Sequence, residues 1–402
     1  MQQELSKDLI LTIGYIGSAG SHLKSQAENI NNISKSNFGL GDILSNNYSD
    51  SAPVVAGSKL PYTGFNTRAQ FQHSLRPFPQ YGFIATDCCL QNVGHSSYHA
   101  MIVSIERRFS HGLNLQGSYT WAKSITNADS LIGVTNGVAQ EQDPSNSKSQ
   151  KSISNQDIPH TFVTSFIYEL PFGHNKMFLN HGGLVNALVG GFKVGGVLRY
   201  QSGQPVSFGC ADGIPGFDNC INFTRVPGSD LRSKARKSGR IDPFRNLKAG
   251  GNVQGPDPNV DSIFNGLLMP AGVNTGYAAL QSSPAFTSQN QPVNRRARAV
   301  KASIPGGPFC PSCDNGGFLL GNVPRVTGEA RNFLYINEDV SLIKETAISE
   351  RVRFILKAEA LNVFNRHVFA TPNAQPYSAF FGVPTGTIDG PRNMQLTARF
   401  SF

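Results

Sequence analysis

The side chains best equipped for chemistry in this 402-residue chain are six cysteines and nine histidines. The cysteines fall in close pairs: Cys88-Cys89, Cys210 with Cys220, and Cys310-Pro-Ser-Cys313. The last has the spacing of a thioredoxin-like redox motif, yet no βαβ pattern surrounds it. All six lie in segments that read as long loops. Loops facing an oxidising exterior more often carry structural disulfides, so Cys210–Cys220 and Cys310–Cys313 are read as loop staples. Cross-pairing and a zinc site from these four stay open as poorer alternatives, and Cys88-Cys89 has no assigned role. His95 and His99 flank the start of a strand, where residues four apart are about 13 Å from each other, which disfavours a shared metal. Walker A, His-Glu-x-x-His and Gly-x-Ser-x-Gly signatures are all missing. The expectation is a protein that is not an enzyme and carries no cofactor or metal.

Charge offers a second kind of chemistry. The net charge of +9 comes largely from Arg225 to Lys248 and Arg295 to Lys301. The plain reading is a pair of solvated basic loops; the sharper one is contact with anionic lipopolysaccharide or another anionic ligand. Nucleic acid is disfavoured, because neither stretch sits in a recognisable recognition fold.

The elements that would position these loops are strands. The final segment, Met394 to Phe402, places Met394, Leu396, Ala398, Phe400 and Phe402 on one face. Gln395, Thr397, Arg399 and Ser401 take the other, since successive strand side chains point to opposite sides. A strand apolar on one side, polar on the other and ending on an aromatic looks like the last strand of a bacterial outer-membrane β-barrel. Seven more segments alternate: Leu9 to Gly17, Tyr98 to Phe109, Leu113 to Trp121, Thr161 to Leu170, Phe192 to Gln201, Leu334 to Lys344 and Arg351 to Phe364. The first is apolar on both faces. Most are about ten residues long, enough to cross a membrane when tilted. A further hairpin is expected near Pro205 to Phe208 and Phe318 to Val323.

Connections alternate between short (Ser110-His111-Gly112; Glu345 to Glu350) and long (Ser18 to Ser97; Ile125 to His160; Ser202 to Phe333; Asn365 to Arg392). Pro171-Phe172-Gly173 opens a modest one. Outer-membrane barrels segregate periplasmic turns from extracellular loops in this way, whereas compact domains rarely hold such long loops. The bulk agrees: 15% charged residues, with Gly 41, Phe 27 and Tyr 11, against roughly 25% charged in ordinary soluble domains. The polar faces nominate Asn114, Gln116, Lys193, Arg199, Arg351, Arg353, Lys357 and Glu359 as lumen-facing; for each one singly, a hydrated inner wall is the simpler reading. No run of 18 apolar residues is present for a transmembrane helix. The N-terminus lacks a secretory layout, so a fragment or a misplaced start is expected.

Several stretches then resemble one family. They include Gly14 to Leu23, Leu75-Arg-Pro-Phe-Pro-Gln-Tyr81, Ser97 to Phe109 and Gly117-Ser-Tyr-Thr-Trp-Ala-Lys-Ser124. Asp157-Ile-Pro-His160, Tyr168-Glu-Leu-Pro-Phe-Gly173, Gln201-Ser-Gly-Gln-Pro205 and Lys357-Ala-Glu-Ala-Leu-Asn-Val-Phe-Asn365 continue the match. Together and in this order they resemble the Oar-like TonB-dependent receptors, over nearly the whole chain. The resemblance implies that residues 1–402 form the C-terminal part of a larger 22-stranded, plugged barrel. About eight to ten antiparallel strands would be present here, with long extracellular loops. A signal peptide, a plug domain and a TonB-contacting segment would lie upstream. Implied partners are outer-membrane lipid and lipopolysaccharide, the barrel-assembly machinery acting on Phe400 and Phe402, and the TonB complex through the plug. An adhesin or loop-display barrel is the rival reading; a soluble β-rich secreted enzyme is the weaker third.

Overall fold

The computed structural model describes residues 1–23, 29–84, 92–128, 142–180, 183–208, 214–217, 221–222, 300–302, 317–349, 351–372, 374, 384 and 386–402. Its strands in chain order are β1 (Gln2–Ser6), β2 (Leu9–Leu23), β3 (Gly94–Ser110), β4 (Leu113–Thr126) and β5 (Ser152–Ile153). Then come β6 (His160–Glu169), β7 (Phe192–Gln201), β8 (Pro205–Ser207), β9 (Val300–Ala302) and β10 (Gly317–Leu319). The last are β11 (Val326–Arg331), β12 (Tyr335–Ala347), β13 (Arg353–Leu361) and β14 (Asn393–Ser401). Ten of them build one antiparallel sheet in the order β1-β2-β3-β4-β6-β7-β12-β13-β14, with β5 added beside β4.

The register decides which residues share a face. One row of paired residues runs Ile13, Val103, Tyr119, Phe162, Tyr200, Ile336 across six strands. Another runs Leu115, Phe166, Gly196, Val340, Ala360, Met394. Each apolar face proposed from sequence therefore joins a single continuous surface. That surface is open: Trp121 is 56% and Leu396 72% exposed. The apolar band also drifts against the pairing rows, by about one residue per strand, as the tilted strands of a barrel require. On β3 it is centred on Val103; on β14 it is centred between Leu396 and Ala398.

Turns follow the expected segregation. His111 and Gly112 join β3 to β4 with φ of 49° and 80°, the positive pair that a two-residue hairpin needs to match strand twist. Lys7-Asp8 joins β1 to β2 at the same end of the sheet. The β12–β13 turn also lies there, as does the connection holding helix α3 (Gly183–Val189). Long connections occupy the other end.

Three differences from the sequence reading stand out. β1 was not foreseen: Gln2–Ser6 carries one large apolar residue, Leu5, and lacks alternation. Pro205 does begin a strand, but β8 pairs with β11, not with the Phe318 segment, which pairs instead as β10 with β9. Both are two-stranded sheets apart from the wall. Strand β13 begins at Arg353, so Arg351 belongs to the turn and is not a strand residue.

The long connections are folded. Residues from the β2–β3 connection (Ile33, Leu40, Leu44, Tyr48, Phe71) pack with residues from the β7–β12 connection (Val206, Phe217, Ile221, Phe318) in one apolar core. The short 3₁₀ segment Lys35–Ser45 buries Phe38, Leu40, Ile43 and Leu44 into it. Burial of such large side chains contributes roughly 1.5–3 kcal/mol each, which is enough to order loops that would otherwise pay their conformational entropy unrewarded.

The two faces make a direct test. Leu396→Arg, on the apolar face, should lower stability in lipid vesicles by roughly 2–4 kcal/mol. Thr397→Arg, one residue on and facing the other way, should change it by under about 1 kcal/mol. Urea unfolding from vesicles reads both; equal losses would mean that the outward assignment is wrong.

Candidate functional site

The non-apolar face of the sheet carries the polar candidates. Asn114 lies on a row with Ile167, Gly195, Ser341, Glu359 and Gln395. Asn114, Lys357 and Glu359 line a shallow groove of about 420 Å³ with Ile167, Val197 and Asp339. Lys357 Nζ meets Glu359 Oε1 at 2.6 Å. Gly195 adds no side chain to the groove, where a Cβ would come within 2.9 Å of Ser341 Oγ, and Ile167 and Val197 make its wall partly apolar.

Lys193 and Arg353 belong to a different cluster, at the short-turn end. A chain of alternating charge runs Lys176, Glu169, Lys193, Glu345, Arg353, with N···O distances of 3.1, 3.4, 3.1 and 3.0 Å. Glu169 is paired with Lys193 by register. These groups line a second cavity of about 540 Å³ beside α3. Sequence reading passed over Glu169 and Glu345 as site residues, because their partners lie up to 152 residues away. Gln116 and Arg199 join neither cavity: Arg199 donates to Gln201 and sits 5.3 Å over the Tyr335 ring. Arg351 is exposed in its turn. Phe400 packs on Phe354 with ring centroids 4.9 Å apart, and Phe402 is 97% exposed. All six cysteines, and the basic stretches apart from Val300–Ala302, fall outside the described residues.

Polar clasps fix the folded loops to the wall. Asp157 accepts from Ser124 N at 2.7 Å and from Arg331 Nη2 at 2.6 Å, while Arg331 also donates to the Asp157 and Gly203 carbonyls. This joins the end of β4, the approach to β6 and strand β11. Asn31 is fully buried; its amide donates to the carbonyls of Phe78, Tyr81 and Gly82 and accepts from Phe78 N. Thus Leu75 to Tyr81 is a turn wound around one asparagine. Asn362 and Asn365, both with φ of 50°, shape the exit from β13 in the left-handed region that asparagine tolerates. Asn362 bonds Arg366 through both amide atoms. Three blocks of the sequence resemblance are therefore loop fasteners.

Gln142 and Asp143 join three connections at one point. The Gln142 amide accepts from Asn222 N and Gly321 N and donates to Gly321 O. Asp143 meets Lys35 Nζ at 2.8 Å. Burial by itself would raise the Asp143 carboxyl, but hydrogen bonds from Lys35 and Ser145, with the Lys35 charge, hold it below its ordinary value. On the apolar face, register places Glu338 opposite Leu198. Its carboxylate is 2% exposed and accepts from Arg366 Nε at 2.9 and 3.1 Å and from Tyr200 at 3.2 Å. A charge tolerated there needs such cover, since an unpaired buried carboxylate is costly.

A membrane wall with one apolar and one charged face, closed at one end by short turns, is the geometry in hand. A family model described as outer membrane beta barrel domain matches residues 1–395. The chain belongs to that family. It is an antiparallel β-barrel protein of the outer membrane. Among solved structures it is similar to the ferric-catecholate import receptor Fiu from K12 E. coli, closed form, at 11% identity and TM-score 0.34, over 99% of this chain and 26% of that one. It is also similar to the outer membrane transporter YddB from Escherichia coli, at 9% identity and TM-score 0.35, over 100% of this chain and 31% of that one. The chain thus spans about a quarter to a third of the length of these two chains. The comparison with curated proteins gave no match.

Two outcomes test the clasps. Asp157→Ala leaves Arg331 Nη2 and Ser124 N without their carboxylate acceptor and should cost roughly 3–5 kcal/mol, seen as faster protease cleavage in the loops with the wall intact. Because the Asp143 carboxyl titrates below its unfolded value, its contact contributes fully at neutral pH and is lost as pH falls through the folded value. Loop cleavage by an acid-active protease should therefore rise on acidification, and Asp143→Asn should flatten that rise.

Proposed function

We propose that this chain is part of the barrel wall of a TonB-dependent outer-membrane transporter of the Oar-like kind. The observation that carries the reading is the pairing of a charged, grooved inner face with long loops that co-fold over one end. A larger barrel of about 22 strands would be completed by further strands, and would hold a plug in its lumen. In that assembly the wall does no covalent chemistry. The loop body captures a solute, the plug gates it, and the TonB complex supplies energy through the plug. The inner groove, mixed apolar and charged, suits a solute with both kinds of surface. The alternating chain from Lys176 to Arg353 stands where a plug would meet the wall near the periplasm. Phe400 and Phe402 are the proposed contact with the barrel-assembly machinery, and residues 1–402 are proposed as one barrel portion.

A folded outer body also fits display or adhesion, so the test must separate the two. Strains lacking this gene, the TonB complex, or both are grown on a panel of scarce iron complexes and glycans as sole source. Transport predicts a shared growth defect on some solute, no worse in the double mutant than in either single one. Growth unaffected on every solute, with lost attachment to surfaces or cells, would overturn transport in favour of adhesion.

A further inference from the structure

On three neighbouring strands, the apolar outer face ends in the same way toward the loops. Beyond Met101 on β3 the next outward residue is His99; beyond Trp121 on β4 it is Lys123; beyond Phe162 on β6 it is His160. Register sets His99 directly opposite Lys123 and His160 directly opposite Trp121. Directly paired strand side chains lie roughly 5 Å apart at Cβ and diagonal ones roughly 7–8 Å, so the three basic side chains form one compact group. All three are exposed.

The two rings are held in matching fashion. Tyr15 O is 2.6 Å from His99 Nδ1 and stacks with it at 6.1 Å; Tyr119 O is 2.8 Å from His160 Nδ1 and stacks at 6.1 Å. Each tyrosine uses Nδ1, so Nε2 is the nitrogen each ring offers beyond the wall. The outward positions of β2, β3, β4 and β6 carry no carboxylate. The acidic residue on this face of β12, Glu338, is engaged by Arg366.

We infer that His99, Lys123 and His160, framed by Tyr15, Tyr119 and Trp121, bind a phosphate group of an outer-leaflet glycolipid. The placement supports this occupant: the group sits where the apolar band stops at the loop end, the depth at which phosphorylated headgroups meet acyl chains. Charge supports it as well, since the Lys123 ammonium beside two imidazole Nε2 groups, bordered by aromatics, complements a phosphate above hydrocarbon. The acyl chains then lie along the Met101, Trp121 and Phe162 side. The inference uses the outer-membrane wall and is independent of transport.

The full chain in detergent micelles is titrated with bisphosphorylated lipid A and with the same lipid stripped of both phosphates, read by native mass spectrometry. The unaltered chain should bind the phosphorylated form at least about tenfold more tightly. Joint replacement by His99→Gln, Lys123→Gln and His160→Gln should erase that preference, and Lys123→Arg should keep it. The single exposed change Lys123→Gln, which leaves both tyrosine–histidine pairs intact, should reduce the preference by itself if the triple variant fails to fold. Equal binding of both lipids by the unaltered chain, or a preference unchanged in the folded variants, would overturn the site. Solute uptake in the growth assay does not bear on either result.

Discussion

Inside hydrocarbon, every backbone N–H and C=O must find its partner within the protein, because water is not there to serve it. The wall meets this through continuous antiparallel pairing from β1 to β14, and among the described residues the outer edges of these two strands carry no further strand. Most other features follow from that pairing. Once strands are locked in register, alternate residues are committed to opposite environments, and a slip of one residue would turn every lipid-side group inward. The aligned row from Ile13 to Ile336 is the visible result. Pairing also explains the drift of the apolar band: tilted strands keep a level band only if it steps along the register from one strand to the next.

Where the strands leave the membrane, the same demand for partners is met by side chains. Asp157 takes over Ser124 N at the end of β4. Asn31 serves three carbonyls that no ladder reaches. Asn362 completes the bonds of a sharp exit from β13. Beneath these polar fasteners lies a separate apolar core shared by two connections. The loop body is therefore folded by the ordinary logic of water-soluble domains, while the wall is inverted relative to it. The two halves meet at β4, β6 and β11, where Arg331 reaches both Asp157 and Gly203.

Legibility in the sequence tracked locality. Phe192–Gln201 was readable to the residue because alternation, a preceding Gly-Gly and a following Ser-Gly bracket it. β14 was readable because nothing interrupts its two faces. β1 was not, since a short polar segment with one leucine shows no period. Arg351 was misplaced because alternation continues past the strand into the turn that reverses it. The partners of β8 and β10 could not be read, as the residues joining them lie far apart in the chain. The same holds for chemistry: Asp157 stood in a recognisable block, yet its work depends on Arg331, 174 residues on. The upward-facing histidines were visible only as scattered residues until register brought His99 beside Lys123.

The single amide of Gln142 has a consequence for how the cell-surface part of such a protein can change over generations. One side chain answers to chain segments 80 and 179 residues away, while its neighbour Asp143 answers to Lys35. Three connections are thereby made to share one fate: none can be lengthened, recombined or swapped near that junction without disturbing the other two. Changes in length or sequence are then steered to the stretches between such junctions, which can vary while the crown keeps its shape.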